Sequence, residues 1–228
     1  MDARDLKPAR DFAKQYGCKI ICYGGTGSGK TPLCNTCPRP VLLACEPGLL
    51  SMKGSNVPTY QATTTQDIDA FFHWFFNSAE TKQFDTLCVD SVSFMADTYL
   101  QAALNGKSKS GKKLHGLAAY GEMATNVMDH LRPLYYTKEK HTYLIAKEES
   151  LEGHAKRIYF PGNQLKTEVP GLYDFIIHLG IHNVPGMGQI KSFQCTESFD
   201  IVARARTGNL NEFEPPDVGA LITKAMAV

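Results

Sequence analysis

The sequence predicts an α/β fold: a mostly parallel central sheet flanked by helices, followed by antiparallel C-terminal strands. Three observations carry that prediction. The apolar run KIICY at residues 19–23 leads into GGTGSGKT at residues 24–31, and a buried strand, a glycine-rich loop and a helix start in that order suit phosphate binding in an α/β domain. Further apolar runs, VLLAC at 41–45, TLCV at 86–89 and HTYLIA at 141–146, alternate with stretches of helical period; strands covered on both faces read as such unbroken runs. Beyond residue 174, strand-like runs at 174–179 and 190–195 are joined by a turn containing Gly186 and Gly188, as in an antiparallel pair.

Composition sets bounds on function. With 228 residues, 43% of them hydrophobic, and no long polar linker, the expectation is a single domain over residues 1–228 with one large core. A net charge of +1 means that nucleic-acid affinity would come from local patches rather than from the whole surface. No apolar run approaches the roughly 20 residues of a membrane span, and MDARDLKPARDFAK lacks a signal-peptide core. The expected location is the cytoplasm, with no membrane partner. Seven cysteines stand at positions 18, 22, 34, 37, 45, 88 and 195. Those in apolar runs pack as small hydrophobes, and Cys34-x-x-Cys37 has no second pair to complete four zinc ligands, so all are read as free thiols.

Residues 1–17 are polar and read as a short helix or N-terminal arm before the first strand. The glycine loop comes next: Gly24, four residues, then Gly29, Lys30 and Thr31. Its glycines let the N–H groups of Gly25, Thr26, Gly27, Ser28 and Gly29 turn around a phosphate, and a helix N-terminus adds its dipole. Lys30 reaches the β- and γ-phosphates of a nucleoside triphosphate, and the Thr31 hydroxyl is placed to bind Mg²⁺. The helix begun at Lys30 is expected to be brief, because Pro38 and Pro40 interrupt it while Pro32 is tolerated in the first turn.

Residues 41–45 form the next strand and deliver Glu46 to the edge that carries the phosphate loop, provided the two strands run parallel. Glu46 is thereby a candidate general base for activating water, against the alternative of an ordinary carboxylate at a strand end. Residues 51–64 are turn-rich, with an extended piece at 58–62. A helix over 65–79, capped by Thr64 or Thr65, presents Ile68, Phe71, Phe72, Phe75 and Phe76 at helical spacing, with His73 and Trp74 as packing residues. The strand at 86–89 ends in Asp90, a carboxylate placed to hold Mg²⁺ about 60 residues after the loop.

A helix over 92–104 runs into NGKSKSGKK at 105–113, four lysines and two glycines without an apolar residue. Lys107, Lys109, Lys112 and Lys113 can grip a phosphate backbone or simply keep the segment solvated. A helix follows over 114–136, with Leu117, Tyr120, Met123, Ala124, Val127, Met128, Leu131 and Leu134 on its apolar face and Pro133 ending or kinking it. Lys147 and Glu148 follow the strand at 141–146 and reach the same edge, as γ-phosphate sensors or as a salt-bridging surface pair. A short strand is expected at 157–160, and residues 199–205 alternate apolar and polar. Arg204 and Arg206 are basic groups near the end of the sheet, and one of them, with Arg206 preferred, is a candidate arginine finger toward a neighbouring subunit. Residues 217–227 read as a short amphipathic helix.

Together GGTGSGKT, VLLACEPGL and VDSVS resemble the RecA-like P-loop ATPases. That resemblance implies a RecA-like P-loop NTPase core, ATP and Mg²⁺ as cofactors, and a catalytic role for Glu46. It also implies two DNA-facing loops, at 105–115 and 149–160, with Lys147 and Glu148 standing where RecA has a glutamine sensor. The FPGNQ, VPGLYDFIIHL and ARTGNL segments are similar to phage-encoded single-strand annealing ATPases of the Sak group. Members of that group are implied to bind single-stranded DNA beside a single-strand-binding protein and to assemble as rings or filaments, in the host cytoplasm if phage-encoded. The competing functions are a small-molecule or nucleotide kinase, which usually brings an arginine-rich lid that is not evident here, and a nucleotide-gated assembly factor with negligible turnover.

Overall fold

The computed structural model describes Asp2 and residues 6–13, 15–107 and 111–227. A five-residue helix, α1 (Ala9–Ala13), precedes β1 (Lys19–Gly24), every residue of which is buried. The glycine loop leaves β1 and enters a 3₁₀ turn, Thr31–Thr36, instead of the expected α-helix. Pro32 occupies its first turn and Pro38 and Pro40 follow closely, so no i→i−4 ladder can develop. Then come β2 (Pro40–Ala44), β3 (Thr59–Gln61), α2 (Thr65–Asn77), β4 (Thr86–Asp90), α3 (Val92–Leu104), α4 (Leu117–Tyr136), β5 (His141–Glu149) and β6 (Arg157–Ile158). The chain continues through α5 (Asn163–Leu172), β7 (Phe175–Val184), β8 (Gly188–Gln194), β9 (Arg204–Ala205), β10 (Phe213–Glu214) and α6 (Val218–Met226).

The main path of the sheet runs β10-β8-β7-β1-β5-β4-β2-β3. From β7 to β3 every neighbouring pair is parallel, whereas β7–β8, β8–β10, β7–β9 and β5–β6 are antiparallel. This is the expected fold class, a mostly parallel α/β sheet flanked by helices with antiparallel C-terminal strands. Register fixes what meets at the edge where the parallel strands end: Gly24 lies beside Lys147, Asp90 beside Ile145, and Ala44 beside Asp90. Strand order thus brings residues more than a hundred positions apart to one rim.

The two sheet faces are covered unequally. On one, Ile68, Phe72, Met95, Leu131, Leu165 and Val169 from α2 to α5 pack over Ile21, Leu43, Val89 and Leu144. On the other, Leu33 and Cys34 of the 3₁₀ turn and Leu221 and Ile222 of α6 pack over Cys22, Leu42, Ile145 and Phe193. Helix α2 starts on a capping box: Thr64 accepts from the Asp67 N–H, and the Asp67 carboxylate accepts from the Thr64 N–H. Its Phe72 is 1% exposed and stacks on His130 of α4 at 4.4 Å; truncation to alanine costs about 3–5 kcal/mol by the usual scale. The Tyr99 hydroxyl on α3 bridges Asp69 of α2 and His130, each at 2.7 Å, tying three helices together.

Several expectations are corrected. Helix α4 begins at Leu117, but Leu117 is 90% exposed and Tyr120 41% exposed, so in its first turn Ala119 is buried in their place. Pro133 lies inside α4 and does not end it. Lys147 and Glu148 belong to β5, which continues to Glu149 because β6 pairs with its end. Helix α5 was concealed by Pro161, Gly162, Pro170 and Gly171, which punctuate the sequence as a loop would, although Leu165 and Val169 are buried at helical spacing. Of the alternating stretch 199–205 only Arg204–Ala205 joins the sheet as a strand, and Phe199 is fully exposed. All seven cysteines are buried free thiols.

Candidate nucleotide site

The loop is closed against its neighbours by backbone. A Cβ at Gly24 would stand 2.3 Å from the Leu179 carbonyl oxygen of β7, so the strand can turn out of the sheet there only as glycine. Gly27 and Gly29 have φ of +77° and +87°, a region side chains disfavour and one that lets successive N–H groups converge. The Ser28 N–H closes the turn on the Gly25 carbonyl at 3.2 Å. Lys30 donates to the carbonyls of Gly24 and Gly25 at 2.7 and 3.0 Å and to the Ser28 hydroxyl at 3.3 Å. Its ammonium therefore lies along the loop, and burial lowers its pKa from the ordinary lysine value.

Thr31 Oγ1 donates to Asp90 Oδ2 at 2.6 Å. Burial raises the Asp90 carboxyl above its ordinary value; Glu46 adds to the rise, while Thr31 and Lys30 oppose it. A hydroxyl and a disfavoured carboxylate side by side are hard oxygen donors of the kind Mg²⁺ prefers, so the donor set fits that ion. Half-buried Glu46 accepts a 2.5 Å hydrogen bond from the Ser91 hydroxyl. Ser91 in turn caps α3 by accepting from the Phe94 N–H at 3.1 Å. Thr26, Gly27, Gly29, Lys30, Thr31, Glu46, Asp90, Ser91 and Lys147 line one pocket of about 250 Å³. Loop, acid, candidate base and candidate sensor lysine thus share a cavity.

Within that cavity Lys147 leans away from the loop, its Nζ 3.6 Å from Asp97 and 4.9 Å from the centre of the Phe94 ring, both on α3. Glu148 faces the other way. Its Oε2 lies 2.8 Å from His178 Nε2, and His178 Nδ1 meets His182 Nε2, which leads on through Nδ1 to the Ser192 hydroxyl, each contact also 2.8 Å. Glu148 is thus held by a buried chain of side chains and is not among the residues lining the pocket. Arg206 is not brought to the loop either. It binds Asp174 and the Gly171 carbonyl at the opposite edge of the sheet, where β7 begins, and Arg204 is held there by the carbonyls of Pro170 and Tyr173. Lys107, Lys112 and Lys113 are exposed, while Lys109 lies outside the described residues. The sequence reading did not find Ser91, Asp97, His178 or His182; Ser91 alone had a local signal, as a serine directly before a helix.

The model of the AAA domain matches residues 17–207, most of the chain. The chain belongs to this family. It is also similar in structure to the KaiC-like protein PH0186 from the hyperthermophilic archaeon Pyrococcus horikoshii OT3, at 12% identity over 78% of this chain and 77% of that one, with a TM-score of 0.43. No curated protein matches the sequence. An AAA domain with this loop is a P-loop ATPase domain, a nucleotide-binding unit. Among the described residues no helix is long and apolar enough to cross a membrane.

Proposed function

We propose that this ATPase binds single-stranded DNA and, with ATP and Mg²⁺, anneals or pairs strands in homologous recombination. The observation that supports it best is a groove of about 670 Å³ that starts at Phe94 and Asp97, beside Lys147 of the nucleotide pocket. It follows α3 past Thr98 and Gln101 to Asn105 and Lys107, with Thr63, Thr64, Thr65 and Gln66 as its other wall. Hydroxyls and amides ending at a lysine-rich loop suit a sugar–phosphate backbone, which is held by such donors without reading bases. The Lys147–Asp97 pair gives the groove a contact with the nucleotide pocket. A strand in the groove and a phosphate in the pocket would compete for Lys147 and Asp97 or reinforce their geometry, which is the physical requirement for coupling.

Chemically, Lys30 and the loop N–H groups would hold the triphosphate, and Thr31 and Asp90 would hold Mg²⁺, which when bound neutralises phosphate charge. Glu46, oriented by Ser91, would accept the proton of the attacking water. Further expectations are a homo-oligomer, ring or filament, and a single-strand-binding protein as companion. The test measures ATP turnover with and without single-stranded DNA, beside annealing of complementary strands and a screen of small phosphate acceptors. Turnover that rises with single strands supports the reading; phosphate passed to a small acceptor, or turnover indifferent to DNA, overturns it.

A further inference from the structure

The β7–β8 hairpin places a second lysine on the phosphate loop. Strand β8 pairs antiparallel with β7, Lys191 opposite Ile181, and β7 pairs parallel with β1, His178 beside Tyr23. Side chains alternate along a strand, so Lys191 shares the face of Phe193. Phe193 is fully buried in the cluster that contains Leu33 of the 3₁₀ turn after the loop. Lys191 is therefore directed toward the loop by sheet register. A Cβ built on Gly29 would lie 2.5 Å from Lys191 Nζ, the nearest atom to that position. Lys191 is exposed, and among the described residues no carboxylate or other hydrogen-bond partner accompanies its ammonium. The acids of the site lie on the other side of β1, Asp90 at the end of β4 and Glu46 just beyond β2, and Asp90 already has Thr31 as its partner.

An unpaired ammonium against a glycine whose loop converges N–H groups is arranged for an anion, and the anion class suited to that loop is a polyphosphate. We propose that Lys191 is a nucleotide-binding residue, a second cation that holds the polyphosphate of a nucleoside di- or triphosphate from the flank opposite Asp90 and Glu46. The proposal rests on the nucleotide-binding reading of the loop and is independent of DNA. Lys30 lies along the loop from within the motif; Lys191 approaches from the hairpin, so nucleotide binding would also pin β8 to the loop.

The experiment measures equilibrium binding of ATP and ADP to the full chain by calorimetry, for wild type, Lys191→Met, Lys191→Arg and Lys30→Ala. Thermal unfolding without nucleotide serves as the folding control. Losing one charge-assisted contact should raise the Kd for Lys191→Met by about tenfold to a hundredfold. Lys191→Arg should recover most of the affinity, and the nucleotide-free melting temperature should not move, because the ammonium has no protein partner to lose. Wild-type Kd in Lys191→Met, with binding abolished in Lys30→Ala, overturns the role of Lys191 and leaves the loop intact. Wild-type Kd in both variants overturns the loop as the nucleotide site and Lys191 with it, and absence of binding in the wild type overturns the nucleotide reading itself.

Discussion

At the scale of single residues, the atoms that would handle the nucleotide are held by hydrogen bonds, Lys30 from within the motif and Thr31 and Glu46 from residues the motif does not contain. Glu46 sits one step beyond β2 and Cys45, and its carboxylate direction is set by the 2.5 Å bond from Ser91. Lys30 is drawn onto the Gly24 and Gly25 carbonyls, and Thr31 onto Asp90. Lys30→Ala should therefore abolish triphosphate binding, whereas Glu46→Gln should keep it and lower turnover about a hundredfold to ten-thousandfold, the usual worth of a general base. The amide keeps the shape and the Ser91 contact but cannot take up the proton of water. Binding and turnover assays on the two variants check this; unchanged hydrolysis in Glu46→Gln removes that residue from the mechanism.

At the scale of elements, the loop between α3 and α4 carries the DNA expectation. Leu114 ties its far end back to α3 through an N–H bond to the Ala103 carbonyl at 3.0 Å, and Lys107, Lys112 and Lys113 are exposed around it. If these three and Lys109 grip a backbone, each neutralised contact contributes about 0.7 to the salt slope for a single strand. Replacing all four by alanine should flatten the logarithmic salt dependence of single-strand binding by up to about 3 units. ATP affinity without DNA should stay unchanged, because Lys107, Lys112 and Lys113 do not line the nucleotide pocket. A filter-binding titration across salt concentrations decides it, and an unaltered slope makes the loop a solvated connection only.

For the molecule as a whole, the chain from Glu148 through His178 and His182 to Ser192 joins β5 to the β7–β8 hairpin and gives stability a pH dependence of definite sign. Burial lowers the His182 pKa from its ordinary value to about 4, with His178 and Lys156 adding to the drop while Asp200 and the Ser192 backbone oppose it. Burial lowers His178 too, against the opposing Glu148. Above about pH 6.5, the ordinary histidine value, both folded and unfolded states hold His182 neutral and the full stability is present. As pH falls from there toward 4, the unfolded chain takes up a proton that the folded chain refuses, so stability declines across that window. Urea unfolding at pH 7.5 and pH 5 should show a larger loss for wild type than for His182→Gln. Equal losses would mean that other groups set the acid sensitivity.

The loop, the strand before it and the carboxylates after the next strands were legible along the chain. Those depend on local chemistry: glycine where φ is positive, unbroken apolar runs where both faces are covered, proline where a helix must stay short. The sequence also placed α2 and its Thr64 cap, the span of α3, and the strand character of β4, β5, β7 and β8. Pairing across the sheet, by contrast, emerges only in the folded molecule. Because β5 inserts between β1 and β4, Lys147 meets Gly24 and Asp90 meets Thr31. Because β7 lies on the other side of β1, Glu148 finds His178, and Arg206 is anchored at the far edge by Asp174. Lys19, at the start of β1, is fully buried, its amine donating to the carbonyls of Thr137 and Lys140. Those partners stand more than a hundred residues away, and no periodicity in one segment encodes which strand will lie next to it.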